Sequence, residues 1–387
     1  MSKKRQVYLD HAAATPLDGD VQKAMRPYLS EEFYNPSAIY SPARKVRLGI
    51  ETARQKIAEN IGVKKGELIF TAGATEANNL AVFGATASFP EGHIIISAIE
   101  HDSILKPIEH LISQGRKVSV TKPDKKGIVD VDDVISKIKN DTVFISIIMA
   151  NNEIGTIQPI SKIADKLNQV RSQRKKTGNG LPLIFHTDAA QAVNYLDTQP
   201  KRLGVDLMSF NGSKIYGPKQ IGCLYAGSHI QLAPIIFGGG QERGHRSGTE
   251  NAAYISGFAS ALEKTIKIRK TESLRLAELQ RYFIGALLDN FRQASINGSL
   301  KKRLPNNVHV TFEGVDNERL IYELDENGVY AASGSACSEA SEDPSHVLSA
   351  IGLSGSQAES SIRFSMGRGT AKEDIDYVLS CLKQILS

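Results

Sequence analysis

The feature that most limits the fold of this chain is a rhythm that runs through its first two-thirds. Short β-rich runs alternate with amphipathic helical stretches. The runs are ELIFT (67–71), HIIIS (93–97), KVSVT (117–121), VFISIIMA (143–150), LIFHT (183–187), DLMSF (206–210) and GCLYA (222–226). Between most of them lie helical patterns such as VRLGIETARQKIAENIG (46–62) and ISKIADKLNQVRSQ (160–173). Strands joined through helices must be parallel neighbours, so the rhythm predicts an α/β fold with a mostly parallel sheet covered by helices. The last two runs are too close for a helical crossover, and this pair is expected to be antiparallel.

After about residue 255 the pattern changes. A long helical stretch over 253–289 leads to the strand NNVHVTFEG (306–314), then to helices and a second strand, SIRFSMG (361–367). This reads as a smaller α+β domain. For the final helix, Thr370 and Glu373 are expected to form a capping box, with Ile375, Val378, Leu379 and Leu382 on one face. Residues 171–182, RSQRKKTGNGLP, read as a basic, solvated insertion. With 387 residues, two or three domains are expected at roughly 150 residues each.

Composition removes several classes. Lys and Arg (47) exceed Asp and Glu (42) by five, too small a bias for nucleic acid or an anionic membrane as the main partner. The longest apolar runs are strand-sized, far short of the roughly 20 residues of a spanning helix, and no apolar segment follows the basic start MSKKRQ. A soluble, cytoplasmic protein is expected. The three cysteines, Cys223, Cys337 and Cys381, are far apart without a CxxC pair, which fits a reducing compartment rather than disulfides or a cysteine-rich zinc site.

Several segments carry candidate chemistry. IFTAGATEANNLAV (69–82) is a strand, a small-residue turn and a helix start, where backbone N–H groups and the Thr75 hydroxyl can hold a phosphate; Thr75 as a helix cap is the alternative. It is neither GxGxxG nor GxxxxGK[ST], so dinucleotide and nucleoside-triphosphate readings lose support. HTDAAQA (186–192) and SFNGSKIYGPK (209–219) both begin at strand ends, where α/β sheets bind ligands. Asp188 and Lys214 there can form a salt bridge. They also suit an aldehyde cofactor: Lys214 as the Schiff-base lysine, Asp188 keeping a pyridine nitrogen protonated so that the ring acts as an electron sink.

His101 follows a strand, where its imidazole can stack on a flat ring and move protons or serve structure alone. Asn151 and Asn152 can reach a ring hydroxyl or substrate, or form a turn. Cys337 lies in YAASGSACSEASEDPSH (330–346), a small-residue and polar loop expected to be exposed and mobile, as a nucleophilic thiol requires; a chance surface thiol is the alternative. Cys223 and Cys381 fall at expected core positions. Arg363 can clamp a substrate carboxylate through two parallel hydrogen bonds or form a structural ion pair.

Together with YLDHAAATP (8–16), FYNPSAIYSPAR (33–44), NNEIGTIQPI (151–160), GGGQERGHRSGT (238–249), SGSACSEASEDPSHVLSAIG (333–352) and IRFSMGRGT (362–370), these segments resemble a cysteine desulfurase of the NifS/IscS kind. The resemblance spans nearly the whole chain, and the SGSAC loop resembles the group with a long cysteine loop.

It implies an aspartate-aminotransferase-like fold, pyridoxal 5'-phosphate as cofactor, L-cysteine as substrate and a homodimer. It divides the chain into a large domain, 15–255, with a seven-stranded sheet, and a small one, 1–14 with 256–387. By position it implies Lys214 as the Schiff-base lysine, Cys337 as the persulfide-forming nucleophile and His101 stacked on the ring. Asp188 would pair with the ring nitrogen, with Gln191 and Asn152 near the hydroxyl face. Ala74, Thr75 and Ser213, with Asn211 two residues before Ser213, would hold the phosphate, and Thr249 would reach in from the other subunit. Arg363 would bind the substrate carboxylate, with Asn35 and Asn152 nearby.

The sulfur would pass to an acceptor protein, an iron–sulfur scaffold or a tRNA-thiolation enzyme. Competing readings are another pyridoxal-phosphate lyase or aminotransferase of the same fold, such as a selenocysteine lyase, and a catalytically silent sulfur-transfer partner. The sequence departs from the usual pattern at Ser213, where a histidine is usual, at Asn211, where a serine is usual, and at Tyr40 and Ala43 in the NPSAIYSPAR segment. The 171–182 insertion is longer than the family leads one to expect, and the chain stops soon after its last helix.

Overall fold

The structure, a computed structural model, describes residues 5–334 and 345–386. Twelve strands run in chain order: β1 (Val7–Tyr8), β2 (Leu68–Thr71), β3 (His93–Ser97), β4 (Val118–Thr121), β5 (Thr142–Ser146), β6 (Ile184–Asp188), β7 (Leu207–Asn211), β8 (Gly222–Ala226), β9 (Ala294–Ile296), β10 (Asn307–Phe312), β11 (Val329–Tyr330) and β12 (Ser361–Ser365). Seven of them form one sheet in the order β2-β8-β7-β6-β5-β3-β4. Pairings β7–β6, β6–β5, β5–β3 and β3–β4 are parallel, and only β8 runs against its neighbours. The expected antiparallel pair of the last two runs is therefore β7–β8.

The sheet is buried on both faces because its strands are apolar at successive positions. Along β5 and β6, Phe144 and Ile184 point to one apolar cluster, and Ile145 and Phe185 to another. On the first side lie α1 (Ala74–Asn79), which continues through a π-helical turn at Leu80–Gly84, and α2 (Asp102–Ser113). On the other lie the helices Gly19–Ser30, Ser41–Ile61 and α3 (Ile160–Lys176).

A separate apolar cluster surrounds the antiparallel sheet β12-β10-β9 and the two-stranded β1–β11 pair. The 39-residue helix α4 (Ala252–Asn290) joins the two parts. Its first turns give Ala253, Ile255, Phe258 and Leu262 to the larger cluster, and its later turns give Leu276, Phe283 and Leu287 to the smaller. A third contact is made by α5 (His346–Ala350), whose Val347 and Leu348 join Ile99, Ile148 and Ile154 at the ends of the parallel strands.

Two local expectations are corrected. The basic stretch 171–182 is not all solvated loop, since α3 runs to Lys176. Arg174 is buried and donates to the carbonyls of Thr142 and Lys139 at 2.8 Å each, while Arg171 binds Asp206 and the Leu183 carbonyl. These arginines satisfy strand-end carbonyls that would otherwise be buried without donors. The final helix, α6 (Lys372–Ile385), is capped at Ala371, whose N–H donates to Asp374 at 2.9 Å. Thr370 instead accepts from the Gly367 N–H at 2.9 Å, because the chain turns one residue later than the capping pattern predicts. Cys223 and Cys381 are buried free thiols, as expected, and burial pushes the Cys223 thiol pKa up.

Candidate active site

The carboxyl ends of the parallel strands gather the candidate residues, as open α/β sheets do. Asp188 ends β6 and is 4% exposed. One carboxylate oxygen accepts from Asn78 Nδ2 at 2.7 Å, the other from the Ala190 N–H at 2.8 Å. Two donors hold a buried carboxylate in one orientation. Asn78 lies on α1 and was not singled out by sequence; only its place in the ATEANN run hinted at it.

Beneath Asp188 a chain of buried polar groups crosses the sheet. His186 places its two ring nitrogens 2.9 Å from Ser146 Oγ and 3.0 Å from Ser209 Oγ. Ser146 reaches Glu100, which also binds Ser97 and accepts the Ile148 N–H at 2.7 Å. Burial pushes the Glu100 carboxyl up to about 8, and the charge of Asp188 adds to the rise. Burial pushes His186 down to about 3, so it is a neutral hydrogen-bonding ring. Glu100 immediately precedes His101, the N-cap of α2, whose Nδ1 accepts the Ser103 N–H at 3.1 Å. The capping bond fixes the ring nitrogen that faces the helix.

Lys214 follows β7 and is partly buried. Its Nζ donates to the Ala13 carbonyl, and its own carbonyl accepts from Asn194 Nδ2. The loop around it is gripped by Thr15. The Thr15 N–H and hydroxyl both donate to the Ser213 carbonyl (3.1 and 2.9 Å), and the Tyr216 N–H donates to Thr15 Oγ1 at 2.8 Å. Tyr216 adopts φ of 62°, a left-handed conformation costly for a bulky residue. It is held there by Arg368, whose N–H donates to the Tyr216 hydroxyl at 2.7 Å and whose guanidinium lies 4.0 Å from the ring centre. Gln191 donates to the Ala12 carbonyl at 2.9 Å, which brings the end of β6 to the same strap, residues 10–15.

The phosphate candidates lie at the other rim. Gly73 is the N-cap of α1 and makes no side-chain cap, so the alternative reading of Thr75 as that cap fails. Thr75 is exposed in the first turn. A Cβ on Gly222 of β8 would come within 2.5 Å of the Gly73 backbone, so this turn closes only over a glycine. Asn211 donates to Ser213 Oγ at 3.0 Å, and Asn211 Oδ1 is buried without a protein partner. Thr249 is exposed at the end of the 238–249 loop, which Arg246 ties to Glu76 of α1 at 2.8 Å.

Arg363 lies on β12 and is 1% exposed. It donates from Nη2 to Asp10 Oδ1 at 2.7 Å and from Nη1 to the Asn152 carbonyl at 3.1 Å; Nε is buried without a partner. Asn152 thus meets Arg363 through its carbonyl. Asn151 proves to be the turn former: its side-chain oxygen accepts the N–H groups of Glu153 and Ile154. Asn35 is exposed in a turn, where its Oδ1 accepts the Ser37 N–H, and it forms no hydrogen bond with Arg363. Cys337 lies outside the described residues. The residues that flank that stretch do reach the site. Ala332 pairs through its backbone with Arg363, and Ser345 donates to the buried Glu153 carboxylate. Asp10 and Thr15 belong to the YLDHAAATP segment, in which neither residue carries a role legible from sequence.

The donor set fits pyridoxal phosphate. A rigid buried carboxylate faces the floor, an amine lies on the neighbouring loop, and a helix start with hydroxyls stands at the rim. Asn211 Oδ1 and Asn78 Oδ1 are buried polar atoms without protein partners there.

Comparison with known proteins defines the class. The aminotransferase class-V family model matches residues 7–378, and the chain belongs to that pyridoxal-phosphate-dependent family, with its type I fold. Among its relatives, cysteine desulfurase IscS of Dictyoglomus turgidum is 44% identical, covering 99% of this chain and 95% of the relative. Cysteine desulfurase IscS 1 of Archaeoglobus fulgidus is 40% identical, covering 98% and 96%. A solved NifS-like protein superposes with a TM-score of 0.90 at 31% identity, covering 99% of each chain.

Proposed function

We propose that this protein is a cysteine desulfurase that converts L-cysteine to L-alanine and carries the sulfur as a persulfide on Cys337. The observation that supports it most is a convergence. One strap, residues 10–15, touches both Lys214 and Arg363, and the described residues beside the Cys337 segment bond to Arg363 and Glu153. The relatives named cysteine desulfurase agree with it.

In this reading Ala74, Thr75, Ser213 and Asn211 hold the cofactor phosphate, with Thr249 contributed to a second subunit's site. Asp188 pairs with the ring nitrogen, His101 covers the ring, and Gln191 and Asn152 face its hydroxyl. Pyridoxal phosphate, when bound, supplies the electron sink that stabilises charge at the substrate α-carbon. Lys214 holds the cofactor and, once released, moves the α-proton. Arg363, with Asn35 and Asn152, fixes the substrate carboxylate. The Cys337 thiolate attacks the substrate sulfur: an S–S bond forms as the C–S bond breaks, its electron pair stays on carbon, and protonation of that carbon yields alanine.

The same reading extends to the division of the chain, 15–255 against 1–14 with 256–387, joined by α4. It includes a homodimer, for which Leu29, Phe33, Ile39, Tyr40 and Leu48, close in sequence, provide exposed apolar side chains. It includes a sulfur acceptor serving iron–sulfur assembly or tRNA thiolation, and a reducing, cytoplasmic setting. No helix among the described residues is long and apolar enough to cross a membrane. The test is direct: the yellow holoenzyme with L-cysteine and a thiol reductant should release sulfide and alanine in equal amounts. Cys337→Ala should keep the substrate-induced spectral change and lose sulfide release; full turnover by that variant overturns the assignment.

A further inference from the structure

The strap Asp10–Thr15 is pinned at one end to β12. The Ser365 N–H donates to the Leu9 carbonyl at 2.6 Å, the His11 N–H to the Ser365 carbonyl at 3.1 Å, and the Ala12 N–H to Ser365 Oγ at 2.9 Å. Ser365 and Arg363 are two residues apart on that strand and so share a face. At the other end the strap holds the lysine loop through Ala13 and Thr15. Asp10 lies within the β12 anchorage, between Leu9 and His11, and its carboxylate meets Arg363 at 2.7 Å.

The Arg363 guanidinium has five N–H donors, and Asp10 and the Asn152 carbonyl take one from each terminal nitrogen. Among the described residues each terminal nitrogen keeps a second hydrogen, the pair a bidentate carboxylate requires. Among the described residues, His309, opposite Arg363 across β10–β12, makes no hydrogen bond with it: its Nδ1 takes the Asn297 amide and its Nε2 has no partner. Among the described residues, loss of Asp10 would leave the guanidinium a single hydrogen bond, to the Asn152 carbonyl, beside the charge of the buried Glu153 carboxylate.

We propose that Asp10 is the positioning residue of the carboxylate clamp, holding the Arg363 fork in place and, through its strap, in register with Lys214. The proposal rests on the reading of Arg363 as the clamp. Asp10 acts through Arg363 and does not touch the reacting atoms.

The experiment titrates the holoenzyme spectroscopically with L-cysteine, with L-alanine and with cysteamine, which lacks the carboxylate. Asp10→Ala should weaken L-cysteine and L-alanine at least tenfold, change cysteamine less than twofold, and raise KM by more than it lowers kcat. Asp10→Asn, of the same shape and still an acceptor, should lie between, and it decides the matter if Asp10→Ala melts early. Unchanged or tighter amino-acid binding in Asp10→Asn and Asp10→Ala overturns the proposal, tighter binding meaning that Asp10 competes with substrate. Arg363→Ala serves as the separate check. If it too leaves amino-acid affinity unchanged, the clamp reading fails with the proposal; if it alone weakens binding, only the role of Asp10 falls.

Discussion

Two buried polar clusters lie under the site, and they are built differently. The one beneath Asp188, on the parallel sheet, uses every side-chain hydrogen-bonding atom of Ser97, Glu100, Ser146, His186 and Ser209. The one behind Arg363, on the antiparallel sheet, leaves His309 Nε2, Asn306 Oδ1 and Arg363 Nε without partners among the described residues. Burial lowers both histidines to about 3, so neither carries charge. The difference lies in saturation. A saturated network fixes one geometry, because losing any member strands its neighbours. An unsaturated one keeps two donors and an acceptor in reserve beside the arginine assigned to the substrate.

The largest test of this contrast is chemical. Lys214→Ala should lower turnover by about 10²–10⁴-fold, measured as sulfide release, because the proton-moving amine is gone while both clusters remain. Next, His186→Phe should destabilise the fold by about 1–3 kcal/mol in denaturant melts, since the buried Ser209 hydroxyl loses its side-chain partner and Ser146 keeps only Glu100. His309→Phe should cost about 1 kcal/mol or less, because His309 makes one side-chain hydrogen bond, to Asn297, which keeps Thr311. Equal losses for the two variants would erase the distinction.

The contrast also shows in pH dependence. The Glu100 carboxyl is raised from its ordinary value near 4.5 to about 8, so between these values the folded state binds more protons than the unfolded chain. Glu100 therefore makes stability fall as pH rises through that window. Glu100→Gln, which can keep the Ile148 bond, should flatten that part of the profile and raise relative stability at pH 8–9. His11, held down to about 4 by burial, works in the opposite sense: below about 6.5 the unfolded chain takes the proton first, and stability falls as pH drops toward 4. That acid-side slope should survive in the Glu100 variant.

Much of the architecture was legible before any coordinates. The strand runs mark all seven members of the main sheet, and the close spacing of the last two runs marks the single antiparallel strand, because a short gap leaves no room for a crossover. The placing of Cys223 and Cys381 in the core followed from their apolar surroundings. The capping of α6 was displaced by one residue, and Arg171 and Arg174 read as solvated charges although they bind strand-end carbonyls, since charge composition does not reveal which donors a fold will need.

What the sequence determined by itself is local: strand and helix periods, the lysine after a strand, the aspartate at a strand end, and a motif set specific enough to name a family. Only the tertiary structure decided that Asn78 orients Asp188, that Thr15 grips the lysine loop and that Asp10 meets Arg363. Those contacts join residues 110, 198 and 353 positions apart. No periodicity or short motif spans such separations. They exist because burial leaves each polar group only the partners that the packed chain brings within hydrogen-bonding reach.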